Sequence, residues 1–509
     1  MICVEVGSSR KTLTITSCTQ NEYEQLKLDY TRRAEGYKFN PLYKKKLWDG
    51  YIKFISGASL PIGSYEYLRQ MCEKHKFELS LNGVETLWDN EITLESFTEW
   101  CYDFFEGRME MRDYQIESAY NILKYRLSIS EITTGGGKTL VCFMVFAYLY
   151  EMQKIHGKVL MIVPSVQLVL QGYKDFTEYN SSRLPLKVGL VCEGQVLCGD
   201  ENIVIGTYQS LVKFVENDPD FFKTVEVAVV DETHKLPAKS IKTIMEQLWH
   251  CDYRFGVTGT LPKDTSAEYL TLLAYLGPKV TDIKAKELQE RGYISTCDIV
   301  QILLDYASDE GKASLASATK HLRSSGKGQE AFSLERNFIM ENQKRFAYVT
   351  GLIQRCTKNT LVLFHHIDYG KRLYTRLKEI LPMRKIYYID GSTAKETRET
   401  IIAEMNKAND GSLLIASYQT LSTGVSCNQI SNVIFTESYK SLFMVIQSIG
   451  RALRLKDKED ASKNKAIIID LADDFRTTGY SNYTYLHALE RRKLYKQYEY
   501  PLKVKSVKF

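Results

Sequence analysis

A short apolar strand pattern that runs into a glycine turn constrains this chain more than any other stretch. Residues 127–132 read Leu-Ser-Ile-Ser-Glu-Ile, and residues 133–139 continue Thr-Thr-Gly-Gly-Gly-Lys-Thr. The apolar run at 140–150 then predicts a buried helix. Strand, glycine turn and helix are the context of a phosphate-binding loop, because glycines let backbone N–H groups face an anion and the helix N-terminus adds positive charge. The pattern predicts a parallel α/β sheet with a phosphate ligand at this turn.

The residue types of the turn indicate ATP with Mg²⁺. Lys138 is expected to reach the outer phosphates, and the hydroxyl of Thr139 is expected to ligate magnesium. The phosphate cradle is predicted at Thr134, Gly135, Gly136 and Gly137. The usual spacing of such loops places a glycine at position 132, where this chain has Ile132.

Bulk composition is that of a soluble globular protein of roughly three domains. The chain has 509 residues, 44% hydrophobic and 25% charged, and its net charge of +5 is too small to indicate a nucleic-acid partner by itself. Its 11 cysteines include no C-x-x-C pair, which favours reduced thiols in a cytoplasm. No signal peptide or membrane-length apolar run is found, so a cytoplasmic protein without a membrane partner is expected.

Residues 1–105 are predicted to form a small α/β domain. Part of it is strongly basic and interleaved with aromatic residues, a composition that can neutralise phosphates and stack on bases. The alternative is a solvated hairpin loop whose tryptophan packs inward. The candidate nucleic-acid contacts are Arg32, Arg33, Lys44, Lys45, Lys46 and Trp48.

Residues 106–283 alternate between strand and helix patterns, which predicts a parallel sheet covered by helices on both faces. The predicted strands are 127–132, 159–163, 203–206, 225–230 and 254–257. Each ends in polar or small residues, where ligands bind in such sheets.

Two acids follow the fourth of these strands directly. Asp231 and Glu232 close the apolar run 225–230, and buried acids are costly unless they serve a cation. We interpret Asp231 as a magnesium ligand and Glu232 as the residue that polarises the attacking water. The alternative is a strand that ends in a solvated acidic turn.

Residues 284–474 predict a second sheet without a phosphate loop. Its predicted strands are 361–364, 386–389, 413–416, 432–435 and 466–470. They follow a polar insertion at 307–337, which is predicted to be mobile and in part helical. On a helix, Gln447, Arg451 and Arg454 share one face, and the guanidinium groups can stabilise charge on a γ-phosphate. An exposed basic helix is the alternative. Residues 475–509 are predicted as a basic tail, either a basic helix that contacts nucleic acid or a docking helix with a solvated face, and the docking helix is favoured.

The ordered set of motifs resembles the superfamily 2 helicases of DExH type. Asp231-Glu-Thr-His234 is similar to their DExH box, and Gly135 to Thr139 is similar to their motif I. The resemblance implies that Arg112 and Gln115 read adenine, that Gly424 contacts the nucleotide, and that Thr258-Gly-Thr260 couples hydrolysis to strand handling. It implies nucleic-acid contacts at Pro164, Ser165, Thr207, Gln209, Ser210, His365, Ser417 and Thr420.

The resemblance extends to phage helicases that act on branched DNA, on Gly36-Tyr-Lys-Phe-Asn-Pro41 and Trp48-Asp-Gly50. It implies two RecA-like parallel-sheet motor domains in tandem that share one ATP, preceded by a small α/β DNA-binding domain. The expected activity is 3′–5′ remodelling of forks, Holliday junctions, D-loops or RNA–DNA hybrids by a monomer. An RNA helicase, a double-stranded DNA translocase subunit and a non-enzymatic junction-binding protein are the alternatives.

Overall fold

The computed structural model describes residues 1–7, 11–192, 194, 197–306, 311–407, 410–422, 429–437, 465–478 and 480–508. The chain divides into two compact units, Met1–Ile283 and Lys284–Phe509. Within the described part of the chain, no helix is long and apolar enough to cross a membrane. The cysteines of that part are free thiols.

The amino-terminal part of the first unit is a small α/β fold. Its elements are β1 (Ile2–Val6), β2 (Thr12–Ser17), α1 (Gln20–Asp29), β3 (Thr31–Arg33), α2 (Pro41–Lys44), β4 (Tyr51–Lys53), β5 (Ser59–Pro61), α3 (Tyr65–His75), β6 (Leu79–Asn82) and α4 (Leu94–Phe105). Four strands form a sheet in the order β5-β2-β1-β6, and β3 and β4 form a separate antiparallel ribbon. Thr19 caps α1 with a capping box that includes Glu22.

The rest of the first unit is a doubly wound sheet. Its elements are α5 (Asp113–Tyr125), β7 (Leu127–Ile132), α6 (Lys138–Glu151), β8 (Lys158–Val163), α7 (Val166–Tyr179), β9 (Val188–Val191), β10 (Ile203–Thr207), α8 (Tyr208–Asn217), α9 (Asp220–Lys223), β11 (Val225–Asp231), α10 (Lys239–Glu246), β12 (Tyr253–Thr258), α11 (Ala267–Leu276) and β13 (Lys279–Ile283). The strand order is β13-β7-β12-β11-β8-β10-β9, and every pairing is parallel.

The amino-terminal fold packs on the helices of this sheet, and both lie in one compact unit, so the predicted border at residue 105 falls inside that unit. The indole of Trp100, in α4, donates to Glu151 Oε2 at 2.8 Å and lies edge-on to Tyr148 of α6. The α4 helix is therefore part of the packing around the first motor sheet. A single apolar core continues from the amino-terminal strands into the motor sheet.

The second unit contains the second parallel sheet. Its elements are α12 (Ala285–Glu290), β14 (Thr296–Asp305), α13 (Gly311–Ser324), α14 (Gly328–Glu341), α15 (Gln343–Arg355), β15 (Thr360–Phe364), α16 (Ile367–Ile380), β16 (Ile386–Ile389), α17 (Lys395–Lys407), β17 (Leu413–Ser417), α18 (Tyr418–Ser422), β18 (Asn432–Phe435), β19 (Lys465–Asp474), α19 (Tyr483–Gln497) and β20 (Leu502–Lys508). The strand order is β16-β17-β15-β18-β19-β14-β20.

The polar stretch 311–337 and the basic end of the chain are both folded into this unit. The stretch 311–337 forms most of the helices α13 and α14, which pack on each other, as the helical part of that expectation has it, while its mobility stays a prediction. The stretch 475–508 agrees with the docking-helix alternative, because α19 packs on β19 and β20 pairs with β14 as an edge strand. Arg491 of α19 is buried against Asp470 at 2.8 Å, so this arginine of the predicted basic stretch is structural.

Candidate active site and nucleic-acid interface

The glycine loop after β7 has the backbone shape of a phosphate cradle. Gly135 and Gly137 take left-handed conformations, with φ of +86° and +80°, and Gly137 caps the 14-residue helix α6. A Cβ atom at position 137 would lie 2.1 Å from Gln115 Nε2, so only glycine fits there. Backbone N–H groups at the start of α6 are thereby open to an anion.

Helix α5 supports this loop from behind. Tyr114 Oη and Gln115 Nε2 both donate to the carbonyl oxygen of Gly136, at 2.9 and 3.1 Å. Gln115 Oε1 in turn accepts the backbone N–H of Arg112 at 3.0 Å. Arg112 and Gln115 therefore lie beside the loop, although the Gln115 amide is engaged with the backbone. Their adenine-reading role remains a prediction.

The two acids lie at the carboxyl end of β11, two strands away from the glycine loop in the sheet. Asp231 Oδ1 accepts the N–H of Glu232 at 2.8 Å, and Glu232 has a left-handed backbone with φ of +51°. Burial raises the pKa of Asp231, while the nearby Lys138 ammonium opposes that rise. Burial lowers the pKa of His234 to about 2, so its imidazole is neutral at physiological pH.

These residues fit a nucleotide with a magnesium ion. Lys138 Nζ has one long contact, 3.4 Å, to the carbonyl oxygen of Ile132. Thr139 supplies a hydroxyl in the first turn of α6, and Asp231 supplies a carboxylate. Magnesium prefers such oxygen donors and takes its remaining ligands from phosphates and water. Among the described residues, no cluster of three or more His, Cys, Asp or Glu side chains can hold a metal by itself.

The segment Thr258–Thr260 lies between the loop and the acids. Thr258 Oγ1 lies 3.5 Å from His234 Nδ1 and donates to the carbonyl oxygen of Thr260 at 2.8 Å. A Cβ at Gly259 would lie 3.2 Å from Thr134 Oγ1. The segment therefore lies close to both the glycine loop and His234, and its coupling role remains a prediction.

The candidate nucleic-acid contacts of each sheet lie at the ends of adjacent strands. Pro164 and Ser165 follow β8, and Thr207 ends its neighbour β10. In the second sheet, His365 follows β15, and Ser417 ends its neighbour β17. The parallel topology thus brings together residues that are more than 40 positions apart in the sequence.

The hydroxyl groups at these strand ends form two similar pairs. Thr207 Oγ1 donates to Ser210 Oγ at 3.0 Å and accepts the N–H of Ser210, while Ser417 Oγ and Thr420 Oγ1 lie 2.7 Å apart. Gln209 follows Thr207 in the first turn of α8. Each pair caps the helix that follows its strand, and a hydroxyl already used as a cap can still accept or donate one further bond.

Glu437 is a site residue that sequence reasoning missed. Its Oε1 accepts the N–H groups of His365 and His366 at 2.9 and 3.2 Å, and its Oε2 lies 2.5 Å from His366 Nδ1. The buried carboxylate therefore fixes the backbone at His365. An acid just beyond a buried strand was the available signal, as at Asp231.

The basic amino-terminal segment divides into structural and exposed residues. Arg32 donates to Tyr67 Oη at 2.5 Å, and the Arg33 guanidinium lies over the rings of Tyr37 and Tyr51. Lys44, Lys45 and Lys46 are exposed, whereas Trp48 is partly buried and donates to the carbonyl oxygen of Tyr51 at 2.8 Å. The tryptophan is therefore anchored and the lysines face solvent, and the nucleic-acid role of this segment stays a prediction.

Four predicted site residues lie outside the described part of the chain. They are Gly424, Gln447, Arg451 and Arg454. Their roles remain predictions from the motif pattern.

Comparisons with known proteins agree with this arrangement. Residues 108–263 match the family model of the type III restriction enzyme res subunit, residues 344–456 match the helicase conserved C-terminal domain, and residues 13–82 match the N-terminal domain of the DNA helicase UvsW. The chain is 27% identical over 508 residues to the ATP-dependent DNA helicase UvsW of Enterobacteria phage T4, which covers 96% of each chain.

Two further proteins are similar to this chain over most of its length. The DNA 3′-5′ translocase XPB2 of Sulfurisphaera tokodaii is 23% identical over 458 residues, covering 84% of this chain and 94% of that one. The structure of the type ISP restriction-modification enzyme LlaBIII bound to DNA aligns with a TM-score of 0.56 at 16% identity, covering 79% of this chain and 32% of that one. The chain thus carries two superfamily 2 helicase domains in tandem, in a chain similar to the DNA helicase UvsW across nearly its whole length.

Proposed function

We propose that this protein is an ATP-dependent DNA helicase that translocates 3′ to 5′ and remodels branched DNA. The observation that carries the proposal is the glycine loop with Lys138 and Asp231 in the first sheet, together with similar hydroxyl pairs at strand ends of both sheets. The 27% identity to the phage T4 DNA helicase over 96% of the chain supports DNA as the substrate. Forks, Holliday junctions, D-loops and RNA–DNA hybrids are the substrates proposed.

In this proposal the glycine loop and Lys138 hold the phosphates of ATP, with Arg112 and Gln115 beside the adenine. Thr139 and Asp231 hold Mg²⁺, which neutralises phosphate charge when bound. Glu232 orients the attacking water, and its fixed backbone next to Asp231 limits where its carboxylate can point. Gln447, Arg451 and Arg454 interact with the γ-phosphate, and Gly424 contacts the nucleotide.

DNA contacts in this proposal come from both sheets. The N–H groups at the starts of α7 and α8 and the hydroxyls of Ser165, Thr207 and Ser210 face phosphates of one strand. In the second unit, His365, Ser417 and Thr420 do the same. We propose a monomer that acts in the cytoplasm of a host cell.

The first experiment measures ATP-dependent strand separation on matched substrates of equal duplex length. They are a tailed linear duplex, a static fork, a four-way junction and an RNA–DNA hybrid. The proposal expects faster separation of the fork and the junction than of the tailed duplex, and none of any substrate by Lys138→Ala. Equal rates on all substrates would overturn the branch preference, and greatest activity on the hybrid would favour an RNA-directed motor.

A double-stranded DNA translocase is the second candidate, favoured by the likeness to XPB2. It would displace a triplex-forming strand from duplex DNA while hydrolysing ATP, yet leave the fork strands paired. A triplex-displacement assay beside the fork assay therefore separates the two functions.

A further inference from the structure

The loop between β3 and β4 forms an open basic groove with an aromatic floor. The groove has a volume of about 880 Å³ and is lined by Lys38, Tyr43, Lys44, Lys46, Leu47, Trp48, Asp49, Tyr51 and Lys53. Its one carboxylate, Asp49, accepts the N–H of Tyr51 at 2.9 Å and lies 3.4 Å from Lys53 Nζ. Three lysines of the lining thus remain available to an anion.

This groove has its shape before any ligand binds. Tyr37 and Tyr43 pack edge to face with ring centroids 4.8 Å apart, and the guanidinium of Arg33 lies 4.2 Å from the Tyr37 ring. Gly50 has φ of +81°, and a Cβ there would lie 2.9 Å from that ring. A preformed site costs less conformational entropy on binding than a flexible loop does.

Apolar side chains are exposed beside the lysines. Phe39, Leu42 and Leu47 are 72%, 52% and 73% exposed. Side chains of this kind can enter a base step and unstack it, and the lysines around them can neutralise the flanking phosphates. Bases within an intact duplex cannot reach an aromatic floor, because their faces are covered by neighbouring bases. An unpaired nucleotide has a negative phosphate and a flat, uncovered base, so it matches the charge, shape and size of the groove.

The groove is also held firmly to the first motor sheet. Arg32 and Tyr30, next to the ribbon, bond Tyr67 Oη and Ser64 respectively. Gly63 lies directly against α11, where a Cβ would be 2.2 Å from the carbonyl oxygen of Leu273. A nucleotide bound in the groove is thereby fixed relative to the sheet that carries the phosphate loop.

We propose that this groove binds one unpaired nucleotide at the branch point of a DNA substrate. Trp48, Tyr43 and Tyr51 stack on the base, Lys38, Lys44 and Lys46 bind the adjacent phosphates, and Phe39, Leu42 and Leu47 separate the last base pair. The inference rests on the proposed function, because it takes branched DNA as the partner.

The test uses the full chain without ATP and a fork with 2-aminopurine at its first unpaired position. Stacking in the groove is expected to change the probe's fluorescence, and Trp48→Ala is expected to abolish that change and weaken fork binding roughly tenfold. Trp48→Phe keeps an aromatic ring and is expected to restore most of both. Blunt duplex of equal length is expected to bind each variant within about twofold of the unsubstituted protein.

Two exposed lysines of the small amino-terminal fold provide a matched pair. Lys44 lines the groove, whereas Lys74 of α3 does not. Lys44→Ala is expected to weaken fork binding severalfold and to reduce the slope of its salt dependence by about one. Lys74→Ala is expected to keep the slope. Equal losses for the two variants, or equal losses on fork and blunt duplex, would overturn the proposal in favour of a general basic surface.

Two controls separate the possible failures. DNA-stimulated ATP hydrolysis on linear single strands tests the proposed function alone, so its presence together with an unresponsive probe overturns only the groove. Anionic phospholipid vesicles test the other occupant of a lysine-rich apolar surface. Vesicle binding that is lost in Leu47→Ser, with fork binding unchanged, would assign the surface to a membrane and overturn the nucleotide site.

Discussion

The two motor sheets have the same topology but use it differently. Numbered along the chain within each sheet, the seven strands of both sheets take the spatial order 7-1-6-5-2-4-3. In the first sheet, the first strand leads into the glycine loop and α6. In the second sheet, the first strand is β14, and the helices α13 and α14 precede its second strand. A shared framework thus presents a phosphate site in one copy and a helical pair in the other.

The correspondence extends to individual side chains. Lys187 directly precedes the third strand of the first sheet and pairs with Asp200, three residues before its fourth strand. Lys385 and Asp410 occupy the same positions in the second sheet, 2.9 Å apart. The fourth strands both end in a hydroxyl residue followed by Tyr-Gln and a second hydroxyl residue, at 207–210 and 417–420. The hydroxyl pairs at the strand ends are therefore the shared part, and the glycine loop belongs to the first sheet.

The sixth strands of the two sheets differ in how they are stabilised. A substitution that tests this difference has the largest expected effect on stability. Arg345 is fully buried with Asp473 and binds it through two bonds of 2.6 and 3.0 Å, whereas β12 in the first sheet carries no acid. Arg345→Met leaves Asp473 buried without its cation, which costs about 3–5 kcal/mol of unfolding free energy. Hydrogen exchange of residues 284–509 during urea unfolding measures it.

The matched control is the double variant Arg345→Met with Asp473→Leu. It removes the unpaired buried carboxylate and should recover much of the lost unfolding free energy. The four tryptophans, at 48, 88, 100 and 249, all lie in the first unit. Tryptophan fluorescence therefore reports the unfolding of the first unit separately, and its urea midpoint should move less than that of the second unit. A larger change in the fluorescence midpoint than in the exchange midpoint of residues 284–509 would contradict the stabilising role assigned to the Arg345–Asp473 pair.

The phosphate loop supplies the second prediction. Lys138 follows three glycines after the first strand of the first sheet, whereas Lys312, after the first strand of the second sheet, lies 3.5 Å from Asp305. Lys138→Ala removes the ammonium proposed to bind the outer phosphates, so the DNA-stimulated kcat for ATP hydrolysis should fall roughly 100- to 1,000-fold. A phosphate-release assay at saturating DNA measures it. The control is Lys174→Ala, which changes an exposed lysine of α7. Equal rates of ATP hydrolysis for the two variants would contradict the phosphate-binding role proposed for Lys138.

The fifth strands both lead into acids, and the third prediction separates their roles. Asp231 is proposed to hold a metal ion, whereas Glu437 fixes the backbone of His365 and His366. Glu437→Gln keeps one oxygen acceptor and loses the charge, at a cost of about 1 kcal/mol per weakened bond. The DNA concentration for half-maximal hydrolysis should rise about three- to tenfold, with the maximal rate nearly unchanged.

Asp231→Asn should give the opposite pattern, a large loss of maximal rate at an unchanged half-maximal DNA concentration. A titration of DNA against hydrolysis rate distinguishes the two. If Glu437→Gln lowers the maximal rate as Asp231→Asn does, Glu437 acts in the nucleotide site and not in positioning the DNA contacts.

The matched lysine–aspartate pairs give the smallest expected effect. The hydrogen bond from the Ser412 hydroxyl, then the bond from Lys385 and lastly the bond from the Ser412 N–H lower the pKa of Asp410 to about 2. The pKa of Asp200 is lowered chiefly by Lys187. Each aspartate therefore has its own lysine partner, and the two differ in their hydroxyl and backbone donors.

A carboxylate with a depressed pKa stabilises the fold above its ordinary pKa, near 4, and loses that contribution as the pH falls through its folded value. Asp410→Asn should therefore lower the thermal midpoint slightly at pH 7, and the difference should vanish near pH 2. Both carboxylates are largely exposed, so solvent screening keeps the effects small.

Asp200→Asn is the matched variant, and it should have the smaller effect because Asp200 has no counterpart to the Ser412 bonds. Thermal unfolding of both variants between pH 2 and pH 7 measures the difference. A larger shift of the thermal midpoint for Asp200→Asn would contradict the stabilising role assigned to the Ser412 bonds.

Local sequence determined the strands and the residues at their ends. The apolar runs 127–132, 386–389 and 432–435 are strands with the predicted bounds, because such runs are buried on both faces in a parallel sheet. The glycines at 135 and 137 take the left-handed conformations that a phosphate loop requires. These features depend on neighbours in the chain, so they can be read from one sequence.

Tertiary structure alone decided the strand order, the position of β20 and the roles of the arginines. The stretch 502–508 alternates lysine with apolar residues, which suits both a solvated tail and an edge strand, and only its pairing with β14 selects the strand. Arg32, Arg345 and Arg491 are basic in sequence yet bonded within the fold, while Lys44 is exposed. The physical reason is that burial and pairing depend on residues distant in the chain, as Glu437 and His365 show across 72 positions.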